Sequence, residues 1–139
     1  MVGATEIRVM YIRPVARGRA LFGALVPYRR VWTPSADSAM RISFSTDVEI
    51  EGKTLPAGSY SVWAIPDSAQ WTLIFNKRPR LFHLGTYVEG DDALRVPAKL
   101  EALPHVETLT LDFPVVDGRR AVMRVWWGTV AASVRIDAR

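Results

Sequence analysis

The stretch Thr108–Trp127 reads T-L-T-L-D-F-P-V-V-D-G-R-R-A-V-M-R-V-W-W. Leu109, Leu111 and Phe113 alternate with Thr108, Thr110 and Asp112, the period of a strand with one buried face. Asp117-Gly118 is a short hairpin signal, because glycine reaches the positive φ that tight hairpin turns demand. Val122 to Trp127 then falls where an antiparallel partner belongs. Such a hairpin presents one apolar face, and further strands must cover it.

Those strands are visible on the N-terminal side. Ile7, Val9 and Tyr11 form one alternating run; Ile42 and Phe44 begin another. Val48 and Ile50 lead into the turn Glu51-Gly52, and Leu55-Pro56-Ala57-Gly58 makes a second turn. Tyr60, Val62 and Ala64 alternate up to Pro66-Asp67-Ser68, and Trp71, Leu73 and Phe75 follow. Val130 to Ile136 reads as a last strand. The pattern predicts an all-β fold, an antiparallel β-sandwich or flattened barrel of about 8–10 strands with at most short helical turns. Residues 19–25 and 97–103 are read as those turns, since neither has the length of a stable isolated helix. No repeat or linker divides the chain, so residues 1–139 are expected to form a single domain. Alternation assigns burial to Ile7, Val9, Ile42, Phe44, Tyr60, Val62, Leu73, Leu109, Leu111 and Val125.

Composition narrows the chemistry. The 139 residues are 49% hydrophobic, with five Trp and no Cys. One core can form without a staple, and disulfides, thiolate catalysis and cysteine-ligated metals are excluded. The net charge of +4 is uneven: residues 1–41 carry seven Arg against Glu6 and Asp37, a local excess of +5. Such asymmetry suits an anionic partner, although a solvated surface with local ion pairs is the plainer reading. No stretch has the roughly 18 apolar residues of a membrane span, and no signal peptide is visible before the first strand-like run.

The order of several short motifs carries a resemblance. Tyr11–Gly23 reads Y-I-R-P-V-A-R-G-R-A-L-F-G and runs on to V-W at Val31-Trp32. F-S-T-D-V follows at Phe44–Val48, G-K-T-L-P-A-G-S-Y-S at Gly52–Ser61, and W-T-L-I-F-N-K at Trp71–Lys77. Together they resemble the DUF2911 family of bacterial proteins over nearly the whole chain. The resemblance implies a fold and no reaction. It also implies a periplasmic or exported location, because relatives usually begin with a signal peptide and an extra strand-like stretch; here ten residues precede Tyr11. Relatives tend to carry a G-A-N-E-like segment after the V-W pair. Here Thr33-Pro34-Ser35-Ala36-Asp37-Ser38 stands there, with Ser38 in place of the Glu.

Candidate sites are few. Arg13, Arg17, Arg19, Arg29 and Arg30 lie in a segment punctuated by Pro14, Gly18, Gly23 and Pro27, and could converge on a carboxylate or phosphate, which Arg binds bidentately. The alternative is that Leu21, Phe22, Leu25 and Val26 tuck under the sheet while the arginines face water. Trp126 and Trp127 are adjacent strand residues, so one should point outward or into an interface. Core packing is the simpler role for most of the tryptophans. His83 and His105 are too far apart in sequence for a ligand pair, and Glu89, Asp91 and Asp92 do not fit a calcium loop, so no metal and no cofactor is expected. No G-x-S-x-G elbow is present.

These features favour a non-catalytic binding or accessory module, a protein-interaction or assembly subunit using the Arg-rich loop. A small-ligand or carbohydrate-binding module with weak hydrolytic activity is the alternative. Nucleic acid is not an expected partner, because the basic residues are not interleaved with aromatics along a strand face.

Overall fold

The computed structural model describes residues 2–36, 38–79 and 87–138. Its strands, in chain order, are β1 (Ile7–Met10), β2 (Met40–Phe44), β3 (Val48–Ile50), β4 (Lys53–Leu55), β5 (Gly58–Ile65), β6 (Trp71–Asn76), β7 (Asp92–Asp117) and β8 (Arg120–Ala138). All pair antiparallel in the order β1-β2-β5-β6-β7-β8-β3-β4. The fold is therefore all-β with eight strands, as expected. The sheet is open, with β1 and β4 at its edges, so the flattened barrel is not formed.

The hairpin expected around Asp117-Gly118 is β7–β8, with Asp117 opposite Arg120 and Leu111 opposite Val125. Its two-residue turn is Gly118-Arg119, one residue beyond the Asp-Gly pair, with Gly118 at φ 58°. β7 changes partner along its length. Asp92 to Ala98 pair with β6, whereas Lys99 to Asp117 pair with β8. Register shifts between Ala102 and Val106, Val106 and Thr110, and Asp112 and Val115 mark bulges, which bend and twist a strand. Both halves of the sheet supply one core: Ile42, Phe44, Val62 and Leu73 from one, Leu109, Met123, Val125 and Ile136 from the other.

Two local expectations are corrected. Residues 97–103 lie within β7, with Pro97 opposite Thr72 and Leu100 opposite Ala132. Ladder pairing there overrides the helix propensity of Ala, Lys, Leu and Glu. Residues 19–25 form turns closed by a bridge between Phe22 and Val26. Among the described residues the only helical element is the 3-10 turn Glu89–Asp91. Of the ten positions assigned to the core, Ile42, Phe44, Tyr60, Val62, Leu73, Leu109 and Val125 are buried. Ile7 and Val9, on the edge strand β1, and Leu111 are half-buried against the same core.

The segment between β1 and β2 is sewn into this core. Leu21 and Val26 are buried and Phe22 is partly so, whereas Leu25 points outward, 43% exposed. Phe22 sits 4.9 Å from Trp71 and 5.8 Å from Trp32, and Trp32 stacks on Trp127 at 6.1 Å and 7°. Gly128 makes this possible: it holds φ +59°, and a Cβ there would lie 2.9 Å from Leu21 Cδ1.

The opposite face of β5 and β6 carries a polar clamp. Asn76, fully buried, donates through Nδ2 to the Val88 carbonyl (2.9 Å) and to Asp92 Oδ1 (2.9 Å), and accepts from the Arg78 N–H (3.0 Å). The Tyr87 hydroxyl donates to the Asp92 carboxylate (2.8 and 2.7 Å) and accepts from Arg95 Nη2 (2.9 Å). Arg95 Nε donates to Asp92 Oδ2 (2.8 Å). This network ties the end of β6 to the start of β7. Burial, then the Asp92 carboxylate, pushes the Tyr87 phenol up to about 12.

Two outcomes follow. Gly128→Ala should lower the unfolding free energy by about 1–2 kcal/mol through left-handed backbone strain alone, read from denaturant midpoints. Tyr87 retains its proton in the folded state up to about pH 12 but loses it near pH 10 when unfolded. Its contribution to stability is thus complete below pH 10 and is lost as pH rises from 10 through 12. Tyr87→Phe should flatten the fall of the denaturant midpoint across that window, and an unchanged fall would contradict the clamp.

Candidate functional site

The Arg-rich segment is pinned at both ends. The Leu109 N–H donates to the Pro14 carbonyl (3.0 Å), the Ala16 N–H to the Glu107 carbonyl (2.8 Å), and the Leu111 N–H to the Tyr11 hydroxyl (3.0 Å). At the far end, the Arg29 N–H donates to the Pro66 carbonyl (2.8 Å) and Trp32 bridges to Ala64. Arg17 and Gly18 have φ 53° and 72°, a tight turn facing Glu107. The Glu107 carboxyl is held below its usual range, first by the His105 imidazole at 2.8 Å, and also by the N–H groups of Gly18 and Arg17.

The five arginines serve different ends. Arg19 folds back on its own loop, Nε to the Ala16 carbonyl and Nη2 to the Val15 carbonyl, both at 2.8 Å. Arg29 pairs with Asp67 at 3.6 Å. Arg13 lies 6.0 Å from the Tyr11 ring centroid. Arg13, Arg17 and Arg30 are exposed, and none makes an ion pair among the described residues. The structure anchors Arg13, Arg17 and Arg19 beside β7, and Arg29 and Arg30 beside the β5–β6 turn.

The tryptophan pair divides as strand geometry requires. Trp127 is 2% exposed, packs with Trp32 and Phe22, and donates from its indole to the Glu107 carbonyl (2.8 Å). It is a core residue and has no surface to offer an interface. Trp126 is half-exposed; its ring lies under the Arg124 guanidinium at 5.1 Å, and its indole N–H donates to the Pro104 carbonyl (3.1 Å).

Residue-type reasoning missed a polar set on the outer face of β1, β2, β5 and β6, exposed at Arg8 and Ser59 and buried at Ser61 and Asn76. Register places Arg8 opposite Ser43 and Ser43 opposite Ser59; the next row runs Met10, Arg41, Ser61, Asn76 and Asp92. Ser61 is fully buried and accepts from the Trp63 indole (2.9 Å). The signal was present: Ser43, Ser59, Ser61 and Asn76 are the out-of-phase partners of Ile42, Tyr60, Val62 and Phe75.

The acidic residues after the clamp are neutralised locally. Glu89 pairs with Arg95 at 3.1 Å, and Asp91 with Arg78. Among the described residues no group of three His, Asp or Glu side chains is placed to hold a metal. His83 and Asp37 lie outside the described residues. No helix among the described residues is long and apolar enough to cross a membrane.

No curated protein and no solved structure matches the chain. One family model does, over residues 1–136, and carries the description "Protein of unknown function (DUF2911)". The motifs that fix the buried aromatic cluster and the outer polar rows all fall inside that span, and the chain belongs to the DUF2911 family.

Proposed function

We propose that the chain is a non-catalytic binding module, an interaction or assembly subunit that docks an acidic protein surface on the segment between residues 12 and 30. The observation that carries this is the composition of that segment's exposed side. Ile12, Val15, Leu25 and Tyr28 are 48%, 39%, 43% and 39% exposed. They are interspersed with Arg13, Arg17 and Arg30. Exposed apolar side chains beside guanidiniums that make no ion pair among the described residues combine the two ingredients of a partner-binding surface, desolvation energy and charge complementarity.

The backbone beneath is already fixed by β7, β5 and the aromatic cluster. Little further ordering entropy is then lost on binding, which favours affinity. The Arg19 side chain and the Arg29 backbone N–H hold the segment's shape. The carbohydrate reading needs exposed aromatic faces, and it has less support. Trp63, Trp71 and Trp127 are buried, and the Trp126 ring is covered by Arg124.

Purification of the tagged protein from its native host at low and high salt tests the proposal. A defined partner should accompany the wild type, weaken as salt screens the guanidiniums, and be lost from Arg13→Glu/Arg17→Glu with the thermal midpoint retained. Retention of the same partner by the double variant would contradict the proposal, as would no partner with either protein.

A further inference from the structure

We propose that the outer face of β1, β2 and β5 is a binding site for a small organic oxyanion, held by Arg41 and Arg8 with the hydroxyls of Ser43 and Ser59. The site is separate from the segment assigned to a protein partner. It is a cavity of about 320 Å³ whose wall includes Arg8, Met10, Arg41, Ser43, Ser59 and Pro79. That volume lies at the lower end of the range for small-molecule pockets, roughly 300–1,000 Å³.

Strand pairing sets the geometry. Arg8, Ser43 and Ser59 stand side by side on three neighbouring strands, and Arg41 stands in the adjacent row opposite Met10. The residues that alternate with them, Ile42 and Phe44, are buried in the core, so the sheet itself orients the polar set outward. No loop needs to move to assemble it.

The hydrogen bonding is incomplete in a way that an oxyanion completes. Arg41 donates Nη2 to the Met10 thioether at 3.0 Å, a weak acceptor for a guanidinium. It makes no ion pair among the described residues. Arg8 gives its Nε to the exposed Glu6 carboxylate at 2.6 Å, which leaves its terminal nitrogens available to a ligand. Ser43 and Ser59 make no side-chain hydrogen bond among the described residues. Among the described residues no carboxylate lines the cavity. Two guanidiniums and two hydroxyls are donors matched to a carboxylate or a phosphate. Met10 and Pro79 supply an apolar wall for a short carbon skeleton.

Titration of the ¹⁵N-labelled protein with glycerol 3-phosphate, succinate and inorganic phosphate, at low ionic strength, decides the matter. Saturable shifts are expected for at least one of the two organic anions, at amides of residues 8–10, 41–43 and 59–61, weakening with added salt. The responding anion distinguishes a phosphate ester from a dicarboxylate. Arg41→Gln should weaken binding by about tenfold or more, and Ser43→Ala/Ser59→Ala should weaken it with both guanidiniums intact. The serine pair and Arg8→Gln keep the test decisive if Arg41→Gln does not fold. Arg13→Glu/Arg17→Glu should bind as the wild type does, which separates this site from the docking segment. No saturable shift with either organic anion, shifts confined elsewhere, or undiminished binding by the variants would overturn the proposal.

Discussion

β7 hydrogen-bonds to β6 through Asp92–Ala98 and to β8 through Lys99–Asp117, and the rest of the molecule depends on that change of partner. Within the second ladder of β7 the register shifts after Ala102 mark bulges, which bend and twist the strand. The two halves then share one core instead of forming a flat ribbon with a wet face. Backbone hydrogen bonding of residues 107–111 is also completed by the segment after β1, through Pro14, Ala16 and Tyr11. One strand therefore positions the core, the clamp and the Arg-rich segment together.

This arrangement explains the uses to which the basic excess is put. Exposed ion pairs contribute little, about 0–1 kcal/mol each, so the pairs made by Arg8 and Arg29 matter little for stability. Arg95 is different, because it shares Asp92 with Tyr87 and Asn76 in a partly desolvated network, where breaking one member leaves others unsatisfied. Arg13, Arg17 and Arg30, which make no ion pair among the described residues, do not share that structural duty. In the function proposed for them they serve recognition, where a pre-positioned guanidinium gives orientation as well as charge.

The architecture was legible in the sequence because alternation reports which face of a strand is buried. Ile42, Phe44, Val62 and Leu109 declared themselves in this way. Alternation assigned Ile7, Val9 and Leu111 to the core as well, yet they are only half-buried against it, since the degree of burial depends on what covers the strand and not on its period. Residues 97–103 misled because local composition favours helix, and only the two flanking ladders, distant in sequence, impose the strand. The Arg-rich segment was visible as a charge cluster, but its division of labour was not: that Arg19 folds onto Ala16 and Arg29 onto Asp67 depends on turn geometry. Trp126 and Trp127 were readable as a split pair, and which one faces inward follows from the register set by Leu111 and Val125. Ser43 and Ser59 were passed over because serine in strands is common, and only pairing across three strands places them beside Arg8 and Arg41.

The central claim is that the segment from Pro14 to Trp32 is part of the folded core and presents its exposed side chains from a fixed backbone. Native-state hydrogen exchange tests this most directly, at the amides of Ala16, Val26 and Leu109 and at the Trp127 indole. The account predicts that all four exchange as slowly as the core amides of β6 and β8, through the same opening. Exchange of Ala16 and Val26 at loop-like rates, with Leu109 following them while β6 and β8 remain protected, would contradict it.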